Sequence, residues 1–250
     1  MPDPDDRRLY TRISRDIGRR IIEGEYGVGE RLPPERVLAQ TYGVSRPTVR
    51  EAIIALEVDE LVEVRMGSGV FVIATVPKGG VRVEDDIGPF ELLEARRAIE
   101  GETCALAAQR IGPAELLQLQ ELLDEMKRAG TAELERCERA DYEFHLVIAR
   151  ASENSGLVAA IDMLWKSRDR SPQYQLMISK AHAAGVVPRH SEHLAILNAL
   201  RAGNPETARE AMRAHISRVL EDFMSATEVH EVEQARQRLA KQRERFALRA

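Results

Sequence analysis

The stretch from Arg31 to Val72, RLPPERVLAQTYGVSRPTVREAIIALEVDELVEVRMGSGVFV, constrains this chain of 250 residues more than any other segment. Val37, Leu38 and Tyr42 lay an apolar stripe along a first short helix, and Gly43 supplies a sharp turn. Val49, Ile53, Ile54 and Leu56 line a second helix. Ser45 is placed to cap it, and Pro47 falls in its first turn, where a missing N–H does no harm. Leu61, Val62 and Val64 then form one β-prone run and Val70, Phe71, Val72 and Ile73 another, closed into a hairpin by Met66-Gly67-Ser68-Gly69.

Two helices about a tight turn, followed by a hairpin, make a winged helix-turn-helix. The leading residues of its second helix are the ones offered to a DNA groove. Ser45, Arg46, Thr48 and Arg50 present hydroxyls and guanidinium forks suited to base edges and phosphates. Arg65 adds a cation beside a small Gly67-bearing tip that can approach a duplex closely. Net charge does not carry this reading: residues 1–75 hold 11 Arg and no Lys against 13 Asp and Glu, a net of −2. Segregation carries it, because Arg36, Arg46, Arg50 and Arg65 sit on the elements expected to face the duplex, while Asp59, Glu60 and Glu63 lie beyond them.

Composition sets the frame for the rest. At 44% hydrophobic and 31% charged the chain is ordinary for a globular protein, and its length suits two domains. The acidic MPDPDDRR start has no apolar leader pattern, and no run approaches a membrane span, so a cytoplasmic protein without membrane association is expected. Cys104 and Cys137 lack metal-type or redox-type spacing and read as reduced helix residues. Residues 76–90 mix Gly, Pro and charge as a linker does, which bounds the winged helix at 1–75. From residue 91 to 227 the period is helical, with segments at 91–110, 113–129, 132–151, 155–169, 189–202 and 205–227 separated by breakers such as Gly203-Asn204-Pro205. The fold expected is mainly α, a winged helix followed by an all-α bundle, with residues 228–250 as a charged helical tail.

The bundle holds a candidate metal site. Asp141 and His145 are spaced i, i+4, one turn apart on one helical face. His193 and His215 are each 11 residues from Asn204, so an antiparallel helix pair about that turn brings both imidazoles level. His190, three residues before His193, is an alternative ligand on spacing alone. His182 and His230 lack a partner at useful spacing and are expected to face solvent. Three imidazoles and a carboxylate suit zinc first, with nickel, manganese or iron as alternatives.

Two resemblances rest on these residues. The segment Leu9 to Phe71, with its LP-x-ER, VSR-x-x-VREA and R-x-GSG pieces, resembles the DNA-binding domain of the GntR family of bacterial repressors. That resemblance implies DNA contacts at Arg36, Ser45, Arg46, Thr48, Arg50 and Gly67. Position 47 is Pro, which has no backbone donor to offer, and Met66 cannot donate a hydrogen bond in the wing. Glu94-Ala-Arg96, Ile99-Glu100, Asp141-x-x-x-His145, Glu192-His193 and Ala211-Met212-x-x-His215 resemble the FCD effector domain of the FadR subfamily over roughly residues 91–225. In its metal-binding branch the ligands fall on Asp141, His145, His193 and His215, which favours His193 over His190, and Arg96 points into the same cavity.

Within that subfamily the pieces RLY at 8–10, REAIIALEV at 50–58, VEVRMGSG at 62–69, GPFELLEAR at 88–96 and Trp165-x-x-Arg168-x-x-x-Pro172 are most similar to the hexuronate repressors of the ExuR and UxuR group. The implied effector is a hexuronate or related sugar acid. Its carboxylate would meet Arg96, its vicinal oxygens a metal, and its ring face Trp165, with Arg168 and Gln173 as further polar contacts. The function expected is a repressor that binds a palindromic operator as a homodimer and answers to such an acid. Two alternatives stand beside it. The effector is instead a di- or tricarboxylate or a 2-hydroxy acid, or the bundle is a metal-dependent hydrolase fused to a winged helix, for which no general base is evident beside the ligands.

Overall fold

Helix α1 (Leu9–Ile22) spaces Tyr10, Ile13, Ile17 and Ile21 three to four residues apart, so they share one face, and that face is buried. The computed structural model, which describes residues 9–65, 67–77, 87–130 and 132–227, divides the chain into one compact unit on its N-terminal residues and another over Ile87–Ala226. In the first unit α1 packs on α3 (Arg46–Val58), with α2 (Glu35–Tyr42) alongside. Helix α2 stops at Gly43, whose φ of 67° lies in the left-handed region that glycine enters without a Cβ clash. Ser45 caps α3 by accepting the Thr48 N–H at 3.3 Å, and Pro47 sits in the first turn.

Strands β1 (Val62–Arg65) and β2 (Gly69–Val72) pair antiparallel, with Val62 opposite Val72 and Arg65 opposite Gly69. Val62, Val70 and Val72 turn into the core. The far edge of β2 is covered by the residues before α2, since the Leu32 N–H donates to the Val70 carbonyl at 2.9 Å and the Val72 N–H to the Glu30 carbonyl at 2.9 Å. Gly69 has φ 118°, and a Cβ there would collide with the Arg31 side chain, so only glycine fits. Met66 lies outside the described residues.

The second unit is helical throughout: α4 (Pro89–Ala107), α5 (Pro113–Ala129), α6 (Leu134–Ala151), α7 (Ser155–Arg170), α8 (Pro172–Ala183), α9 (His190–Arg201) and α10 (Pro205–Thr227). Helix α6 packs against α4, α5 and α7, which explains its long run of buried positions from Cys137 to Ala151. Two differences from the sequence reading are physical. Pro89 and Phe90, assigned to the linker, form the first turn of α4, because proline suits that turn and Phe90 belongs to the core. Helix α8 is not evident from periodicity, and Pro172 looks like a terminator. Here it opens a new helix that Ser171 caps by accepting the Tyr174 N–H at 3.1 Å.

Cys104 and Cys137 are buried and free of a disulfide. Among the described residues no helix is long and apolar enough to cross a membrane. Residues 78–86 of the expected linker and the expected tail at 228–250, His230 included, lie outside the described residues.

Candidate functional site

On the winged unit, Arg36, Ser45 and Arg46 are exposed, Thr48 and Gly67 are half-buried, and Arg65 is exposed at the end of β1. Arg65 is held by Glu63, with Nε 2.7 Å from Oε2, and its guanidinium lies 4.7 Å above the Phe71 ring centroid. Arg50 departs from the expected exposed cation. It is buried, and its guanidinium grips Glu35 two-pronged, Nε to Oε1 at 2.9 Å and Nη2 to Oε2 at 2.6 Å. The face of α3 that carries Arg50 packs toward α2, so the charge is spent inside the head. Arg46, one turn earlier and half exposed, comes within 3.7 Å of the same Glu35 carboxylate.

In the helical unit, α6 places Asp141 and His145 on one face. The α9–α10 turn at Asn204, whose side chain accepts the N–H groups of Glu206 and Thr207 at 3.0 and 3.2 Å, brings His193 and His215 opposite each other with ring centroids 4.4 Å apart. One ligand atom from each of Asp141, His145, His193 and His215 lies within 4.8 Å of the others, and all four residues are buried. His190 stands outside this quartet.

The outer nitrogens are all engaged. Nδ1 of His145 faces Glu100, Nδ1 of His193 lies 3.1 Å from the Arg189 carbonyl oxygen, and Nδ1 of His215 lies 3.0 Å from Glu192 Oε2. An Nδ1–H given to each of these partners turns Nε2 inward, and Nε2 of His193 lies 2.7 Å from Oδ1 of Asp141, a contact that takes a proton or a cation between the two atoms. Nε2 of His145 is fully buried and has no hydrogen-bond partner among the described residues. Converging lone pairs with an ionised carboxylate are the donor set of a divalent cation, and the residues present fit one.

The electrostatics separate the imidazoles: burial works against a charged His145, but Glu100 and Asp141 outweigh it and raise its pKa. Burial opposes ionisation of Asp141, but the imidazoles of His145 and His193 outweigh it and hold the carboxyl well below the usual range. Burial likewise works against Glu100, yet Arg96 and His145 bring it down to about 2. Burial together with the neighbouring His193 and His145 pushes His215 well below its ordinary value, leaving it neutral as a ligand must be.

A cleft opens beside the quartet, bordered by Arg96, Asp141 and His215 on one side and by Glu138, Arg168, Tyr174 and His182 on another, with Val186, Val219 and Phe223 among its apolar lining. Arg96 is buried. Its Nε donates to Glu100 at 2.6 Å and its guanidinium lies 3.9 Å from the Trp165 ring centroid.

Three expectations are corrected here. Trp165 does not offer a face to the cleft: it is 2% exposed, the Arg96 and Arg168 guanidiniums lie over its ring, and Tyr142 and His145 pack beside it. Gln173 is fully buried away from the cleft lining, with neither amide atom hydrogen-bonded among the described residues. His182 is not a solvent-facing bystander, since it borders the cleft with Nε2 3.1 Å from Glu138 Oε1. Glu100, Glu192 and the Arg189 carbonyl, which orient the imidazoles, had no role assigned from sequence. A carboxylate three or four residues from a basic group reads as a surface pair until the fold buries it. Asn154 caps α7, accepting the Gly156 and Leu157 N–H groups at 3.0 and 3.2 Å.

Comparison with known proteins adds independent information. Residues 9–72 match the family described as bacterial regulatory proteins, gntR family, and residues 91–218 match the FCD domain. The Uxu operon regulator of Haemophilus influenzae is 34% identical over 231 residues, covering 90% of this chain and 85% of that protein. The Exu regulon transcriptional regulator of Escherichia coli K12 is 35% identical over 224 residues, covering 86% and 84%. The Uxu operon transcriptional regulator of the same strain is 32% identical over 234 residues, covering 90% of each.

Proposed function

This chain belongs to the GntR family and carries its FCD domain, a transcriptional regulator and not an enzyme, and from that premise we propose that it is a repressor whose operator binding answers to a hexuronate or related sugar acid. The observation that carries the ligand half is the adjacency of a buried Asp-His₃ quartet to a cleft bordered by a pinned arginine. Asp141, His145, His193 and His215 would hold a divalent ion, zinc first, which when bound supplies Lewis-acid positions for carboxylate and hydroxyl oxygens.

The protein's own residues do the rest. Glu100 fixes the Arg96 Nε and Trp165 supports its plane, so the guanidinium keeps its orientation while its remaining donors are offered to an acid group. Val186, Val219 and Phe223 give the same cleft an apolar wall beside that contact. The names of the Exu and Uxu regulators support the choice of a sugar acid for this chain.

On the winged unit, Arg46, Ser45 and Thr48 lead the recognition helix, Arg36 and Arg65 flank it, and Gly67 allows close approach of the wing. Arg50 acts from inside by holding Glu35. Two copies would present two such helices to a palindromic operator. An acid that binds one arrangement of the pair better shifts it by typically about 1–3 kcal/mol of coupling.

The test is fluorescence anisotropy of full-length, zinc-loaded protein on DNA selected from random duplexes, titrated with galacturonate and glucuronate. Release of the DNA at sub-millimolar acid, abolished by a chelator, is the expected result. DNA affinity that no sugar acid alters overturns the ligand assignment.

A further inference from the structure

Two side chains on the cleft wall remain without a role, Glu138 from α6 and His182 from α8, and both stand with Arg168 from α7, which the sequence offers as a polar contact to the effector. They form one cluster. His182 Nε2 lies 3.1 Å from Glu138 Oε1, and Arg168 Nη2 lies 3.8 Å from Glu138 Oε2. Each is partly accessible, with side-chain exposures of 24%, 11% and 22% for Glu138, Arg168 and His182. They line the same cleft as Arg96, Asp141 and His215. The acceptor and the two donors come from three different helices and meet inside a concavity, a placement that an incidental surface pair does not require.

From this placement we propose that Glu138, His182 and Arg168 form a second subsite that reads the hydroxyl groups of the ligand and so selects a hydroxylated monoacid. The proposal deepens the sugar-acid reading above and rests on it. The chemistry is that of a diol site. With Nε2–H of His182 given to Glu138, the other ring nitrogen can accept a hydroxyl proton, Glu138 keeps free lone pairs on its carboxylate, and Arg168 has donors to spare.

Geometry supplies the ruler. Glu138 and Asp141 are i, i+3 on α6, so their side chains start about 5–6 Å apart. The subsite therefore stands one helical turn from the quartet, and a ligand whose carboxyl group sits at the quartet presents groups further along its chain to Glu138. A short 2-hydroxy acid ends before it gets there. A di- or tricarboxylate of sugar-acid length sets a second carboxylate against Glu138 and is disfavoured by like charge.

Isothermal titration of full-length zinc-loaded protein with galacturonate, lactate and citrate tests this, on the wild type and on Glu138→Gln and His182→Ala. Thermal unfolding checks that each variant is folded. We expect Glu138→Gln to weaken galacturonate about tenfold, leave lactate unchanged and tighten citrate, and His182→Ala to weaken galacturonate alone. Wild type that binds galacturonate while both variants bind all three acids as it does, or lose all three equally, overturns the subsite and leaves the sugar-acid reading standing. Wild type that binds only lactate or citrate overturns both together. If Glu138→Gln fails to fold, Arg168→Gln takes its place with the same expected pattern for galacturonate against lactate.

Discussion

Nε2 of His193 stands 2.7 Å from Oδ1 of Asp141. With Nδ1–H given to the Arg189 carbonyl, the facing atoms are a lone pair and a carboxylate oxygen, a contact that is stable only with a proton or a cation between them. Protein purified with zinc should therefore carry about one ion per chain, and chelation should lower its melting temperature. Asp141→Ala should abolish tight binding. Glu100→Gln, which among the four ligands touches only His145, at its outer nitrogen, and otherwise holds Arg96, should weaken affinity about 10- to 100-fold while keeping the stoichiometry. Elemental analysis and chelator competition read both, and full zinc occupancy in Asp141→Ala would sink the assignment of that ligand.

The Glu35–Arg50 pair should behave as a buried bridge. Removing one partner strands the other, so Glu35→Ala or Arg50→Ala should cost about 3–5 kcal/mol in urea unfolding of the winged unit, with the double change costing less than the sum. Arg46→Ala should leave stability within about 0.5 kcal/mol and weaken operator binding, because its side chain is half exposed. An Arg50 variant as stable as wild type would put that side chain back on the surface.

Trp165 is held as packing rather than as a sugar platform. Trp165→Ala should destabilise the helical unit by about 3–5 kcal/mol, whereas Trp165→Phe, which keeps a ring beneath Arg96, should cost less and bind the effector within a few-fold of wild type. Equilibrium unfolding and titration of the Phe variant separate the two roles. A large affinity loss with intact stability would restore direct stacking on the ligand.

Burial pushes the Cys104 thiol up to about 12, with Glu100 adding to the effect. At pH 8 the thiolate is therefore scarce in the folded protein, and native alkylation of Cys104 by iodoacetamide should be far slower than in urea. Mass spectrometry of timed quenches reads the ratio. Equal rates in the two states would mean that the helix around it opens readily.

The spacings that bring the Asp-His₃ quartet together are visible in the chain, because i, i+4 on α6 and equal offsets from Asn204 are properties of helices and turns alone. What lies around the quartet is not visible. Local pattern turns Arg50 and His182 outward and the family resemblance turns Trp165 toward the ligand, yet each owes its actual setting to a residue far away in sequence: Glu35 on α2 for Arg50, Glu138 on α6 for His182 and Arg96 on α4 for Trp165. Helix α8 escaped for a related reason. Its buried residues Tyr174, Met177 and Ala181 leave it no strong amphipathic contrast, and its opening Pro172 mimics a stop.

The arrangement about Trp165 gives the protein an optical gauge of its own. It is the single tryptophan of the chain, and the guanidiniums over its ring come from Arg96, beside the quartet, and from Arg168, beside Glu138. A molecule that draws either cation away changes the field at one indole. Emission from the unlabelled protein thus registers occupancy at each end of the cleft, and two single-residue variants suffice to assign the signal to one end or the other.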